Sequence, residues 1–486
     1  MLRVFGTVIL SAILAVPAVS AADLALPFTA QSRASAVEVS LSGADVVLMC
    51  GERDGVAVEV RSRRPDSVFS ADLDIRERGA TLSISGPPPE AGPSEVVLEL
   101  VVPPDLPVAV SGSELTVLRT CNRATTDGQR STAAPAPTPR PDPGPGAASP
   151  TGSSFEIESS ALELRGPGAA RISGSDNQIT LVDTVGDLEV PVTASFVDSS
   201  GHHGGMVLDT ASTVIVLRSP EGPLGARLDG GVLTILGATG EASVELADAR
   251  LEVEDHRGSL SVTARLGDVS VRRGTFSELS VTGEDAAVRM SGCTATGAVN
   301  LSRGTLEIEV WVGRLTLQGG GGADLEVAGV DGDLVLSLDD AALELRRVTG
   351  HTRATASASD LTLAELKSVA LSAQGCLVGV VDVPEVKLLR LAGGELEMSL
   401  AEARGRQKLD LLGGAWARVE LPTPCEVRLS GEGADEADVD VRGCDLRGGS
   451  GPGTQRPKRG FGQGPPVILE VKLEAAASLR VEGRSR

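Results

Sequence analysis

Three tripeptides decide the fold of this chain: Leu306-Glu307-Ile308, Leu325-Glu326-Val327 and Leu343-Glu344-Leu345. Each places apolar residues on both sides of a carboxylate, which is the period of two expected for a strand with one buried face and one exposed face. The same apolar pair recurs in both directions at intervals of 17 to 19 residues. Its first members are Leu233, Leu251, Val269, Val288, Leu306, Leu325, Leu343, Leu361, Val378 and Leu396.

A second, looser series of apolar residues falls between the members of the first. It consists of Val244, Leu260, Leu279, Val299, Leu315, Leu334, Val369 and Val386. Coils with two strands each can stack about 4.8 Å apart, so that every strand finds parallel neighbours. The sequence therefore predicts an all-β fold, a parallel β-helix or β-solenoid with coils of about 18 residues. An antiparallel sandwich is the alternative, but it gives no reason for one period to persist over nine steps.

Two segments interrupt the repeat. Residues 122–154 are rich in Pro and form either a linker or a loop, and residues 446–466 form a Gly- and Pro-rich loop before a last coil at 467–481. The spacing of Val37, Val56 and Leu73 predicts parallel coils before the first segment as well. The predicted domains are an N-terminal β-repeat domain at 22–121 and a β-solenoid domain at 155–486. Whether they form one solenoid or two stays open.

The first 21 residues have the features of a cleaved signal peptide. A basic start at 1–3 precedes an apolar stretch at 4–19, and small residues stand at 19–21 before a mature chain that would begin at Ala22. We therefore expect export to the periplasm, the outer cell surface or the medium. No later stretch approaches 18 consecutive apolar residues, so stable membrane insertion is not expected.

The composition excludes some partners. The formal charge of −22 opposes binding to nucleic acid and to anionic membrane surfaces. Aromatic residues make up only 2% of the chain and there is no Tyr, which fits a thin repetitive β-architecture better than a compact enzyme core.

One segment resembles a known group of domains. The stretch Val101-Val102-Pro103-Pro104-Asp105-Leu106-Pro107-Val108-Ala109-Val110-Ser111-Gly112-Ser113 is similar to a recurring segment of bacterial adhesin-like β-strand-repeat domains of the adhesin head type. The stretch Gly332-Asp333-Leu334-Val335-Leu336 has the same style. The resemblance implies a right-handed β-helix with an envelope or extracellular role. The function of these domains is unknown, so the resemblance supplies no catalytic residues.

Histidines and paired aspartates raise the question of a polysaccharide-degrading enzyme. Gly201-His202-His203-Gly204 and Asp339-Asp340 are superficially similar to elements of polygalacturonases. In those enzymes the aspartates precede the histidine, whereas here they follow it, and this chain offers few aromatic platforms for sugar rings. We therefore predict no catalytic residues, no cofactor and no metal site, and we place His202 and His203 in a solvated loop.

Stacking would align three carboxylates. Glu307, Glu326 and Glu344 are the middle residues of three consecutive strands, with Arg289 one coil earlier and Thr362 one coil later. Like charges directly opposed on a sheet are destabilising. The ladder is therefore either a solvated charged face or a surface that binds a cation or a basic partner.

Six cysteines follow the signal peptide, and an exported protein can form disulfides. We expect Cys425 to bond to Cys444, since the two are about one coil apart, and Cys50 to bond to Cys121. Cys293 and Cys376 are too far apart to stack and are expected as buried free thiols. None of the cysteines has the spacing of a zinc site.

These observations predict an exported, non-enzymatic β-solenoid that serves as an envelope scaffold or an adhesin-like binding module. Its partner would be an envelope protein or a polysaccharide. The alternative is a carbohydrate-active β-helix enzyme, either a polysaccharide lyase or a hydrolase. A third reading is a protein that polymerises through open solenoid ends, but the net charge and the basic residues of the 446–466 loop favour guarded ends.

Overall fold

A computed structural model of the chain describes residues 24–25, 28–51, 55–62, 70–71, 73–86, 96–103, 106–120, 152–431, 437–447, 466–474 and 476–484. The predicted signal peptide, nearly all of the Pro-rich segment and most of the 446–466 loop lie outside these residues. The described ranges contain strands and no helix. Accordingly, they contain no helix with the length and apolarity needed to span a bilayer.

The chain divides into two compact units after Gly231. The strands of the first unit are β1 (Leu24–Ala25), β2 (Phe28–Ser32), β3 (Ala36–Ser40), β4 (Asp45–Cys50), β5 (Val56–Ser62), β6 (Ser70–Ala71), β7 (Asp74–Arg78), β8 (Thr81–Ser85), β9 (Val96–Val102), β10 (Val108–Ser113), β11 (Thr116–Thr120), β12 (Ser153–Glu158), β13 (Ala161–Pro167), β14 (Ala170–Ser175), β15 (Gln178–Val185), β16 (Leu188–Thr193), β17 (Phe196–Ser200) and β18 (Met206–Arg218).

Strand β19 (Leu224–Leu236) contains the division point. The strands of the second unit are β20 (Thr239–Ala247), β21 (Arg250–Glu254), β22 (Arg257–Arg265), β23 (Asp268–Arg272), β24 (Thr275–Thr294), β25 (Gly297–Val312), β26 (Leu315–Asp331), β27 (Leu334–Ser357), β28 (Asp360–Val381), β29 (Val386–Ser399), β30 (Arg406–Leu412), β31 (Trp416–Pro422), β32 (Cys425–Ser430), β33 (Asp438–Arg442), β34 (Asp445–Arg447), β35 (Val467–Leu473) and β36 (Ser478–Arg484).

Each unit is a β-solenoid whose coils contribute a strand to each of two parallel stacks. In the first unit β12, β14 and β16 form one stack and β13, β15 and β17 form the other. In the second unit Leu233 pairs with Leu251, and the register continues through Val269 and Val288 to Leu306. The predicted fold and coil length are confirmed. The right-handed sense stays a prediction.

The first apolar series forms a continuous buried column. Leu306 pairs with Leu325, Leu325 with Leu343 and Leu343 with Leu361, and each of the four is at most 3% exposed. The strand period turns the intervening carboxylates outward. The register predicted from the tripeptides is therefore confirmed.

The second apolar series is wrong at Val244 and Val299, because the residues that stack with the other members of the series lie two positions earlier in each case. The residues that stack are Ala242, Leu260, Leu279, Gly297 and Leu315. A Cβ added to Gly297 would lie 2.6 Å from the ring of Trp311, so the Trp311 side chain already fills that part of the core. The apolar side chain that fills this part of the core thus comes from elsewhere in the coil, and the next large apolar residue in the sequence pattern is the valine Val299.

The N-terminal part is not a simple run of parallel coils. Val56 belongs to β5, which is antiparallel to β2 and to β9, and the strand that follows Leu73, β7, is antiparallel to β8. Strand β3 lies between β8 and β10, so the coil formed by β3 and β4 has later parts of the chain on both sides. Antiparallel strands limit the unpaired edge that an open stack would present.

The predicted last coil is also misplaced, because it is last in sequence but not in space. Strand β35 lies between β30 and β32, and β36 lies between β31 and β33. The coil at 467–484 is therefore inserted between the coils at 406–422 and 425–442. The disulfide between Cys425 and Cys444 links the outer coil to the segment before β34, with a Cα–Cα distance of 4.8 Å. This predicted disulfide is confirmed.

The coil that precedes the Pro-rich segment stacks directly on the coil that follows it. Strand β10 pairs with β12, and β11 pairs with β13, all within the first unit. The domains predicted from the sequence meet at this segment, with one solenoid or two left open, whereas the compact units divide after Gly231. The reason is that hydrogen bonding between coils joins the chain on either side of the segment.

Candidate functional site

The outward side of the strands that carry Leu306, Leu325 and Leu343 is called face 1. Glu307, Glu326 and Glu344 lie in register on it, each directly opposite the next. Arg289 is within 3.4 Å of Glu307, and Arg346 forms an ion pair with Glu344. Glu326, in the middle, has no ion pair with any described residue. The predicted ladder exists, and arginines compensate the charge at both of its ends.

The carboxylates of face 1 lie side by side along the stack. Side chains from stacked parallel strands point the same way and do not converge, whereas a metal requires ligands that surround it. Across the described part of the chain, no group of three or more His, Cys, Asp or Glu side chains is placed to hold a metal ion. We therefore interpret face 1 as a charged surface with arginine partners.

The outward side of the strands that carry Leu279, Leu315 and Leu334 is called face 2, and it differs in character. Five uncharged polar residues stack in register along it, and we name them the polar ladder: Thr263, Thr282, Asn300, Gln318 and Ser337. The column beside them on the same strands is also uncharged: Ser261, Ser280, Ala298, Thr316 and Val335. In a chain with 23% charged residues, two adjacent columns without charge over five coils form a distinct surface.

The side chains of the polar ladder are free to bind. All five are exposed. None of them forms a hydrogen bond with another described residue. Neighbouring members lie about 4.8 Å apart along the solenoid, and the second column lies about 6.7 Å away along each strand. The surface is thus a regular grid of hydroxyl, amide and methyl groups.

Charged residues border the polar ladder without entering it. Glu245 pairs in register with Thr263 and ends the ladder on one side. Along one edge Glu284 lies within 3.7 Å of Arg265 and within 2.9 Å of Arg303. Asp285 lies within 2.9 Å of Arg303 as well, so two arginines and two carboxylates neutralise one another at this point.

The prediction that His202 is solvated is wrong. Its side chain is buried, with Nδ1 2.9 Å from the Thr184 hydroxyl and Nε2 3.4 Å from the Gly205 carbonyl. Burial lowers the pKa of His202, so the ring is neutral near pH 7. His203 is exposed and lies 2.9 Å from Glu221. The flanking glycines are typical of a loop in sequence, but in the structure they form a corner of a coil.

Asp339 and Asp340 each have a role in the coil itself. Asp339 accepts a hydrogen bond of 2.6 Å from the Ser357 hydroxyl in the next coil. Asp340 occupies a corner with a φ of 57°, a conformation that Asp tolerates better than most residues. Both roles are structural.

A second buried histidine, His256, was not singled out from the sequence. Its ring stacks on Phe276 with centroids 5.5 Å apart, and Nε2 donates to the Ser259 carbonyl across 3.2 Å. Burial lowers the pKa of His256, and Nδ1 has no hydrogen-bond partner. Ala238 precedes His256 by one coil, which is the position that Thr184 occupies relative to His202. The spacing of 18 residues could have revealed this correspondence.

One serine–histidine pair occurs in the second unit. The Ser368 hydroxyl is 2.6 Å from His351 Nδ1, and Lys387 Nζ is 3.2 Å from the same nitrogen. Ser368 is only 1% exposed, so a substrate cannot reach its oxygen in this arrangement. A nucleophile must contact its substrate, and this hydroxyl therefore has a structural role.

The three other cysteines that the structure describes are disulfide-bonded or buried. Cys50 is disulfide-bonded, and its expected partner Cys121 lies outside the described residues. Cys293 and Cys376 are buried free thiols, as predicted. Burial raises the pKa of the Cys293 thiol, which keeps it protonated and unreactive at neutral pH.

Comparison with known proteins does not assign a family. No family model, no curated protein and no solved structure matches the chain. The resemblance to adhesin-like β-strand repeats therefore stays a prediction from the sequence.

Proposed function

We propose that this chain is an exported, non-enzymatic β-solenoid that acts as an envelope scaffold or an adhesin-like binding module. The observation that supports the proposal is the regular display of side chains along the second unit. Face 1 repeats carboxylates and face 2 repeats uncharged polar groups, each at one position per coil. A repeated surface suits a long or repetitive partner, because many weak contacts act together.

The proposal can be tested on the mature chain, starting at Ala22 and carrying its disulfides. The purified protein is mixed with envelope fragments of a Gram-negative bacterium and sedimented at increasing concentration. We expect saturable binding. The same samples are assayed for new reducing ends and for unsaturated sugar products, and we expect none. Absence of saturable binding would refute the binding function, and release of sugar products would favour the alternative of a polysaccharide lyase or hydrolase.

A further inference from the structure

We infer that the polar ladder of face 2 is a binding surface for a neutral polysaccharide. The inference rests on the proposed binding function and specifies its ligand and its location. The surface consists of Thr263, Thr282, Asn300, Gln318 and Ser337, together with the uncharged column beside them.

The absence of charge on this surface selects the ligand. The whole chain carries a formal charge of −22, which repels acidic polymers at a distance. The two columns of face 2 offer no cation that would hold a uronate, a sulfate or a phosphate. They also offer no anion for an amino sugar or a basic peptide. A neutral partner is the one that matches hydroxyl and amide groups without leaving a charge unpaired.

The hydrogen-bonding capacity of the polar ladder also matches a neutral sugar polymer. Asn300 and Gln318 each present donors and an acceptor, and the hydroxyls of Thr263, Thr282 and Ser337 can act as either. None of these groups is satisfied by another described residue. Sugar hydroxyls are likewise donors and acceptors. The methyl groups of Ala298 and Val335, in the neighbouring column, provide apolar contact for the C–H groups of a sugar ring.

The architecture explains how such a surface can bind without aromatic platforms. The five polar-ladder residues, one per coil, are all hydroxyl or amide side chains. Each contact of this kind is weak, because a hydrogen bond formed in water gives a small net gain. A polymer that runs along the solenoid axis would make such contacts in successive coils, and their effects accumulate. Affinity should therefore rise steeply with the length of the sugar chain.

The test is affinity electrophoresis of the mature chain in gels that contain a neutral polymer. The neutral polymers are hydroxyethylcellulose, dextran and mannan, and carboxymethylcellulose and chitosan serve as the charged ones. The double variant Asn300→Ala with Gln318→Ala removes two amides at the centre of the polar ladder. The matched control, Thr305→Ala with Thr362→Ala, removes two exposed polar side chains from face 1. Thermal melts confirm that both variants are folded.

We expect at least one neutral polymer to retard the wild-type chain. The face 2 variant should bind that polymer about tenfold more weakly, as for the loss of one or two hydrogen bonds, and the control should bind as wild type does. Disaccharides should compete far less well than the polymer. Equal binding by the face 2 variant and the wild type would overturn the inference, and so would effective competition by a disaccharide, which indicates a compact pocket.

The sedimentation assay separates the two proposals. Saturable binding to envelope fragments without retardation by any neutral polymer would leave the binding function intact and overturn the assignment of the ligand. Retardation only by chitosan or carboxymethylcellulose would have the same consequence. Absence of binding in both assays would refute the proposed function itself.

Discussion

The Thr184 hydroxyl lies 2.9 Å from Nδ1 of His202, which occupies the same corner one coil later. At the corresponding corner of the second unit His256 has the same hydrogen bond from Nε2 to a carbonyl, but Ala238 replaces the threonine. As a result Nδ1 of His256 is buried without a partner. The two corners therefore differ in one hydrogen bond: the Nδ1 atom has a partner at His202 and has none at His256.

The first prediction concerns variants that remove the hydrogen-bond partner of His202 Nδ1 and add one for His256 Nδ1. Thr184→Val keeps the shape but leaves His202 Nδ1 unsatisfied, and it should destabilise the first unit by about 1–3 kcal/mol. Ala238→Thr should supply the missing partner of His256 and be more stable than Ala238→Val by about 1 kcal/mol. Denaturation midpoints measure both effects. Equal midpoints for Ala238→Thr and Ala238→Val would show that the added hydroxyl does not reach Nδ1.

The second prediction concerns pH. Burial lowers the folded-state pKa of His202 and of His256 below the unfolded value, which is near 6.5. Below about pH 6.5 the unfolded chain therefore takes up protons that the folded chain does not, and stability falls as pH decreases until the folded pKa is reached. Well above pH 6.5 both states hold these two histidines neutral, so they contribute no pH dependence to the stability there.

Denaturation from pH 7.5 to pH 5 checks this effect. Each histidine can contribute at most about 1.4 kcal/mol per pH unit, and the wild type should lose more stability than His202→Gln. His256→Gln should likewise lose less stability than the wild type, because burial lowers the pKa of His256 as well. If the stability of His202→Gln fell with pH as steeply as that of the wild type, the lowered pKa of His202 would be contradicted.

The third prediction uses a strained corner. Val310 has a φ of 58° and is exposed, while the residues at the same corner in the adjacent coils are Gly292 and Gly329. A β-branched residue is unfavourable in this conformation by about 1–2 kcal/mol. Val310→Gly should therefore raise the melting temperature. Glu309→Gly, in the preceding extended position, should lower it, and a lower melting temperature for both would show that Val310 is not strained.

Much of the fold could be predicted from the sequence because the decisive signal is local. Leu-x-Leu pairs repeat in a fixed period, and parallel stacking in register is the arrangement that buries all of them. The position of the 467–484 coil could not be predicted, because an inserted coil and a terminal coil have the same strand pattern. Its place depends on which edges of β30 and β32 remain available for pairing.

The candidate sites show the same division. The Glu307–Glu326–Glu344 ladder followed from the first series, whose register was correct. The polar ladder did not, because Gly297 and Trp311 disturb the second series and the outward residues were not aligned. The burial of His202 could not be predicted, because its neighbours in sequence are largely Gly and Ser and its hydrogen-bond partner Thr184 lies 18 residues earlier.

The fourth prediction compares two adjacent residues. Leu325 is 1% exposed in the buried column, so Leu325→Asp places an unpaired carboxylate between two coils and should cost about 3–5 kcal/mol. Glu326→Lys should be neutral or slightly stabilising, because Glu326 lies between Glu307 and Glu344 without an ion pair. Glu344 is less suitable, since Arg346 already pairs with it. Similar melting temperatures for the two variants would contradict the register.

The most direct test of the account is a cross-link between two coils. Asn300 and Gln318 are directly opposite in register, so their Cα atoms should be about 4.8 Å apart with both side chains outward, within the range of a disulfide. The variant Asn300→Cys with Gln318→Cys should form a disulfide under mild oxidation, as seen by peptide mapping. Asn300→Cys with Leu317→Cys should not, because Leu317 is buried and points inward. Failure of the first pair, or formation of the second, would contradict the stacked coils on which the polar ladder depends.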